Sequence, residues 1–102
     1  MISGGDGKIY PQYSQTVTVH YDAFLEDGTQ WDSSRQRGKP LRWRIGFGQV
    51  IKGLDEGVQQ LSLGERVRLM VDSSWAYGAR GFPGRVPPYA NVTFDIQLMD
   101  IM

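Results

Sequence analysis

Apolar and polar residues alternate through most of this chain and change to helical spacing once. Val17, Val19, Tyr21 and Ala23 interleave with Thr16, Thr18, His20 and Asp22, which predicts a half-buried strand from residue 15. Asp27-Gly28, set between Leu25 and Trp31, predicts a hairpin turn with the returning arm over 29–32. Ser33 to Pro40 is polar and breaks that arm as a flap or bulged excursion. Leu41, Trp43 and Ile45 alternate with Arg42 and Arg44 as the next strand. Gly46-Phe47-Gly48-Gln49 then turns the chain into 50–61, where Ile51, Leu54, Val58 and Leu61 make one apolar stripe. This is the one helix the pattern predicts. Gly53 and Gly57 are poor helix formers placed four apart, so one strip of the helix carries no side chains and its backbone is expected to approach the sheet closely. Ser62-Leu63-Gly64 ends the helix.

Val67, Leu69 and Val71 form another alternating strand, and Val92, Phe94, Ile96 and Leu98 a final one. Between them 72–89 is a long loop with many Gly, Pro and aromatic residues, a length that in a small domain usually serves function. Residues 1–13 form a Gly-rich arm with a short edge strand expected near Ile9. A single short helix with an apolar face, in a chain of strands, lays that face on a sheet. The predicted class is α+β: an antiparallel sheet curled over one short helix, in a single domain spanning 1–102.

Composition narrows the function more than the fold. Formal net charge is zero, which argues against a dominant electrostatic partner. Cysteine is absent, so disulfides and thiolate metal sites are excluded, and a reducing compartment, the cytoplasm, is suited. The single histidine, His20, falls on the polar side of its strand and is expected to face solvent, which leaves no nucleophile–base pair. One histidine and scattered carboxylates give no metal-ligand spacing, and Gly46-Phe47-Gly48 matches no phosphate loop, so no metal or cofactor is expected. Arg35, Arg37, Lys39, Arg42 and Arg44 cluster around Trp43, but Arg42 and Arg44 read better as the solvent face of a strand than as a nucleic-acid patch. No run is apolar enough to span a membrane, and Met1 to Gly7 does not read as a signal peptide.

What remains is aromatic. Tyr21, Trp31, Trp43, Trp75, Tyr77, Phe82 and Phe94 exceed what so small a core absorbs. Aromatic side chains more often build core than site, and Trp43 belongs at least partly to the core. Trp75-Ala76-Tyr77-Gly78, however, lies in a loop, where a tyrosine can offer its hydroxyl to a ligand carbonyl. At the helix entrance the backbone N–H groups of Val50 and Ile51 lack intrahelical partners. An apolar cleft with a few aimed donors suits a small ligand or a peptide.

Several segments become specific when taken in order: Val19-His-Tyr-Asp-Ala-Phe-Leu-Glu-Asp-Gly28, Trp31-Asp-Ser-Ser-Arg35, Val50-Ile-Lys-Gly-Leu-Asp-Glu-Gly57, Gly64-Glu-Arg66, Trp75-Ala-Tyr-Gly78 and Val86-Pro-Pro88. Together they resemble the FKBP-type peptidyl-prolyl isomerases, the immunophilins that bind tacrolimus and rapamycin. The resemblance runs from about Ile2 to Met102 and is nearest the small single-domain cytosolic members. It implies a five- or six-stranded antiparallel half-barrel wrapped on one short helix, a monomer whose substrate is a peptide X–Pro bond, and, through the two macrolides, engagement of calcineurin or the TOR kinase. It places the cleft walls at Tyr21, Trp31, Asp32, Val50, Ile51, Tyr77 and Phe94, with Leu54 as floor. The Ile51 N–H and the Tyr77 hydroxyl would hydrogen-bond ligand carbonyls, and Asp32 would accept a hydrogen bond and pair with Arg37. Catalysis falls to Asp32, Tyr77 and Ile51, while Arg37, Leu41, Gln49 and Val86 complete the ligand-binding set. The other implied role is a binding module with little catalysis, a chaperone or partner regulator.

The chain also departs from the family's pattern. Leu54 stands where a floor Trp is common, which deepens the cleft and removes aromatic contact with a ligand. Trp31 stands where Phe is usual and partly refills that space. Leu41 replaces another usual Phe, and at the loop tip Phe82 and Arg85 replace a frequent His and Ile.

Overall fold

The computed structural model describes residues 4–102. Five antiparallel strands make one curved sheet: β1 (Thr16–Leu25), β2 (Gln30–Ser33), β3 (Leu41–Arg44), β4 (Arg66–Val71) and β5 (Val92–Ile101). Two helices, α1 (Ser34–Arg37) and α2 (Lys52–Val58), join β2 to β3 and β3 to β4. Apart from the short one expected near Ile9, the predicted strands are present, and the α+β class with its half-barrel sheet is the observed one.

β1 and β5 pair along their length, from Val17 opposite Ile101 to Leu25 opposite Val92, and β4 covers the other edge of β5. The second edge of β1 is shared. Thr16 to Val19 pair with β3, and Asp22 to Phe24 pair with β2, so the ladder is interrupted at His20 and Tyr21. Ser34 closes that gap. Its fully buried Oγ accepts from the Tyr21 N–H at 2.7 Å and donates to the Tyr21 carbonyl at 3.3 Å. One hydroxyl thus replaces a missing strand, and the Tyr21 backbone is not left unsatisfied.

The segment predicted as a flap is therefore a capped helical turn. Ser33 Oγ accepts from the Gln36 N–H at 3.1 Å, and Gly38, at φ 69°, closes it. A helix of four residues is too short to show a 3.6-residue period, so no pattern marks it. His20 also differs from expectation. It is half-buried, with Nδ1 2.9 Å from Ser34 Oγ.

The strand expected near Ile9 does not form. Asp6 Oδ1 accepts from the Lys8 and Ile9 N–H groups, and this local turn competes with strand pairing. Among the described residues two backbone bonds tie the arm to the turn after α2: Asp6 N–H to Leu63 O at 2.9 Å, and Leu63 N–H to Ile9 O at 2.8 Å. In the long loop, residues 73–75 form a 3-10 turn capped by Asp72, and Phe82 and Val86 form an isolated bridge.

α2 is shorter than the 50–61 stripe. It gives way to tighter bonds from Gln60 to Gly57 and from Leu61 to Val58, each 3.1 Å. Leu54, Val58 and Leu61 still enter the core, with Val17, Val19 and Ala23 from β1 and Phe94, Ile96 and Leu98 from β5. The bare strip of α2 faces β4, where a Cβ added to Gly53 would lie 2.4 Å from Val71 Cγ1 and 3.2 Å from the Trp75 carbonyl oxygen. On Gly57 the added atom would meet the Leu69 Cδ2 methyl at 2.5 Å. Asp55 fixes the helix from the other side. Its Oδ1 accepts from the buried Trp43 indole at 3.0 Å, and its Oδ2 accepts from the Gly46 N–H at 3.1 Å.

Helix propensity alone favours alanine over glycine by about 1 kcal/mol, whereas overpacking a filled core costs about 1–3 kcal/mol. At Gly53 the neighbours are a buried β-branched residue and a carbonyl, so the clash dominates. At Gly57 the neighbour is the end of a flexible, half-buried leucine, which can turn aside. Denaturant unfolding is expected to show Gly53→Ala destabilised by about 1–2 kcal/mol and Gly57→Ala close to neutral. Equal effects at the two positions would contradict the close approach at Gly53.

Candidate functional site

The interruption on the β1 edge brings Tyr21 and β2 together at one end of the sheet. Phe94 lies on β5 across from Ala23, one strand away. Its ring makes edge contacts with Tyr21 at 5.8 Å and Trp31 at 6.0 Å between centroids. Trp31 in turn meets Tyr77 at 5.7 Å and Phe82 at 6.1 Å, both edge-on. Tyr77 and Phe82 are 5.3 Å apart. Five rings from three strands and the long loop thus form one connected cluster. Phe94 and Tyr21 are buried, Trp31 and Tyr77 half-buried, and Phe82 exposed at the rim. Such edge-to-face pairs add about 0.5–1.5 kcal/mol each beyond their burial.

Asp32 is the polar centre beside these rings. Its Oδ2 accepts from the Tyr21 hydroxyl at 2.6 Å, and its Oδ1 accepts from the Ser33 N–H at 2.8 Å and from the Arg37 guanidinium. Arg37 also donates to the Tyr21 hydroxyl oxygen at 3.1 Å. The Tyr21 phenol is thereby locked, and burial together with the Asp32 carboxylate holds its proton above the usual tyrosine range.

Three donors near this cluster have no acceptor among the described residues. The Tyr77 hydroxyl makes no hydrogen bond, and burial, aided by Tyr21 and Asp32 and opposed by Arg85, pushes it up to about 12. It stays an O–H donor across the physiological range. The Ile51 N–H precedes the first turn of α2, and the Ile51 carbonyl is the atom that accepts the first helical bonds, from Leu54 and Asp55. The Trp31 indole N–H is a third case, buried and unpartnered among the described residues.

The structure gathers most of the sequence-derived set. Tyr21, Trp31, Asp32, Arg37, Tyr77 and Phe94 form the connected cluster just described. Val50, Ile51 and Leu41 pack half-buried against the core, while Leu54 and Val86 lie within it. Gln49 stands apart, because its side-chain oxygen is spent on the Arg44 N–H at 2.8 Å, within the turn before α2. Arg85 was singled out only as a departure at the loop tip, yet it reaches within 3.6 Å of Asp32. Nothing in sequence spacing links two residues 53 positions apart, so the contact required the fold. Of the basic cluster, Arg35 and Arg37 are paired with Asp22 and Asp32, while Arg42 and Arg44 are exposed along β3.

Residues 7–99 match the family of FKBP-type peptidyl-prolyl cis-trans isomerases. The chain belongs to this family. It is 52% identical over 100 residues to the peptidyl-prolyl cis-trans isomerase Fkbp12 of Drosophila melanogaster, covering 98% of this chain and 93% of that one. FK506-binding protein 1 of Yarrowia lipolytica is 53% identical over 97 residues, covering 95% and 90% of the two chains. That of Saccharomyces cerevisiae is 48% identical over 100 residues, covering 98% and 88%. In this FKBP-type isomerase Trp31 supplies the aromatic cluster with an indole that touches Tyr77, Phe82 and Phe94.

The raised Tyr77 phenol has a consequence for pH. The folded chain holds that proton more tightly than the unfolded chain, whose tyrosine ionises near 10.0. This contribution to stability is complete below 10 and is lost as pH rises toward 12. The phenolate absorbance of wild type minus Tyr77→Phe should therefore titrate near 12. A midpoint near 10 would contradict the partial desolvation of Tyr77.

Proposed function

We propose that the cluster of Tyr21, Trp31, Tyr77 and Phe94, with Val50, Ile51 and Leu54, is where this isomerase binds and rotates peptide X–Pro bonds. The observation that carries the reading is the pair of unspent donors, the Tyr77 hydroxyl and the Ile51 N–H, beside a half-buried set of aromatic rings. A proline ring packs on the rings with Leu54 beneath it, and the two donors take carbonyls that flank the rotating bond. Asp32, held by Tyr21 and Arg37, supplies an acceptor at the rim. Leu41 and Val86 back the apolar wall, and Gln49 borders the cleft through its turn rather than through its amide.

The chemistry asks little else. Rotation about the X–Pro amide faces a barrier of ~18–20 kcal/mol set by resonance. No bond to the substrate is made or broken, so neither nucleophile nor metal is required. The twisted amide has lost resonance and is less polar than the planar form, so an apolar pocket favours it. Fixed carbonyls hold the chain while one bond turns. Each tenfold of rate needs about 1.4 kcal/mol of binding that exists only in the transition state.

The same cleft takes tacrolimus (FK506), the ligand in the names of the yeast relatives, and rapamycin. Through them the chain engages calcineurin or the TOR kinase. It acts as a monomeric single domain in the cytoplasm, assisting the folding of clients with X–Pro segments, and has no nucleic-acid or membrane partner. One observation favours a second reading, a binding module with little catalysis: the Trp31 indole already packs on Tyr77 and Phe94, so an entering proline competes with it.

NMR exchange measurements on an X–Pro peptide separate the two. Micromolar protein is expected to accelerate cis–trans interconversion, and stoichiometric tacrolimus to abolish the effect. Tyr77→Phe, which removes one neutral hydrogen bond, is expected to lower kcat/KM by about 2- to 10-fold. Absence of acceleration would overturn the catalytic reading, and drug binding without acceleration would select the binding module.

A further inference from the structure

The mouth of the cleft is not neutral. An open cavity of about 540 Å³ lies beside the aromatic rings, lined by Gln30, Trp31, Asp32, Ser33, Gln36, Arg37 and Arg85. One carboxylate there faces two guanidinium groups, an excess of one positive charge in a chain whose net charge is zero. Asp32 is already occupied by Tyr21, Ser33 and Arg37. The fourth approach, from Arg85 Nη1 at 3.6 Å, is too long for a hydrogen bond, and the Arg85 side chain is half exposed.

Arg85 is nonetheless held in place. Its backbone sits in a tight turn, with its N–H donating to Phe82 O at 2.9 Å. The turn is closed by Phe82 and Val86, each N–H donating to the other's carbonyl at 2.8 Å. Its guanidinium carbon lies 5.6 Å from the centroid of the Phe82 ring, which itself packs on Trp31 and Tyr77. A cation with unspent donors is thus fixed at the rim of the apolar cleft, directly beside the rings that would seat a proline.

We propose that Arg85 makes this isomerase selective for X–Pro segments in which the residue before the proline is acidic, taking its carboxylate as the proline enters the cleft. The inference rests on the reading of the cleft as an X–Pro site and adds a substrate class to it. Arginine suits the role because its planar donor fork can take both oxygens of a carboxylate. Gln36 adds a neutral donor along the same cavity wall, whereas the Gln30 amide already donates to Asp22 and to the Asp32 carbonyl. The rim is solvated, so the preference is modest: exposed ion pairs of this kind correspond to about a 1.5- to 5-fold effect. It should also weaken as salt is added.

The test uses three peptides identical except for Glu, Gln or Lys before the proline, with kcat/KM measured by NMR exchange so that no coupling protease imposes its own preference. Wild type is expected to rank Glu above Gln above Lys, with a Glu-to-Gln ratio of about 2–5 at low ionic strength. Arg85→Gln should collapse that ratio to about 1. A wild-type ratio of 1 or below, or a ratio that survives in Arg85→Gln, overturns the proposal. If no peptide is accelerated, the isomerase reading of the cleft fails instead. The affinities of the same three peptides, read from the Trp31 indole resonance, then still decide whether Arg85 selects for the acidic one.

Discussion

The seating of α2 against the sheet is the constraint on which the rest of this fold depends. The helix has seven residues, too few to be stable alone. It persists because its bare glycine strip lets the backbone come down onto Val71 and Leu69, and because Asp55 anchors the other side to Trp43 and Gly46. Those contacts set the height and rotation of the helix. With them fixed, Leu54 enters the core and the unpartnered N–H of Ile51 is presented at the end of the helix. A helix displaced outward by one methyl group would move both together.

The second organising feature is how polar groups are satisfied at the interrupted edge of β1. A sheet edge that switches partner leaves backbone groups unpaired, and here the Ser34 hydroxyl takes up the N–H and the carbonyl of Tyr21. The same interruption frees the Tyr21 side chain and Asp32 to form the compact network with Arg37. Polarity is thereby segregated. The carboxylate and guanidinium groups sit at the rim, locked to one another, while the rings behind them stay free of charge. This division is what rotation of an amide requires, since a charged group inside the cleft would favour the polar planar states over the twisted one.

Much of this was legible in the sequence, for identifiable reasons. Val17, Val19, Tyr21 and Ala23 alternate because one face of β1 is buried, and that period is visible without the fold. Gly53 and Gly57 predicted the close approach, and the ordered motifs named residues, Tyr21, Trp31, Asp32, Tyr77 and Phe94 among them, that the structure brings together. What was hidden falls into two kinds. Short elements, such as the Ser34–Arg37 turn, have no period to read, and the Asx turn at Asp6 displaced the strand expected at Ile9. Long-range polar partnerships are the other kind. Asp55 falls off the apolar stripe of its helix and His20 reads as a surface histidine, yet the first satisfies the Trp43 indole and the second lies against Ser34. Arg85 and Asp32 belong to the same class.

The central claim is that an unpartnered backbone amide and the unspent hydroxyl of a half-buried tyrosine, beside apolar rings, are the machinery of bond rotation. It is tested most directly in one sample: isotope-labelled protein with a substoichiometric to saturating series of an X–Pro peptide, followed by NMR. The account predicts that cis–trans exchange of the peptide accelerates while the Ile51 amide proton moves downfield and the Trp31 indole resonance shifts, both in proportion to occupancy. Accelerated exchange with the Ile51 amide and Trp31 indole unmoved would place catalysis elsewhere and contradict the account.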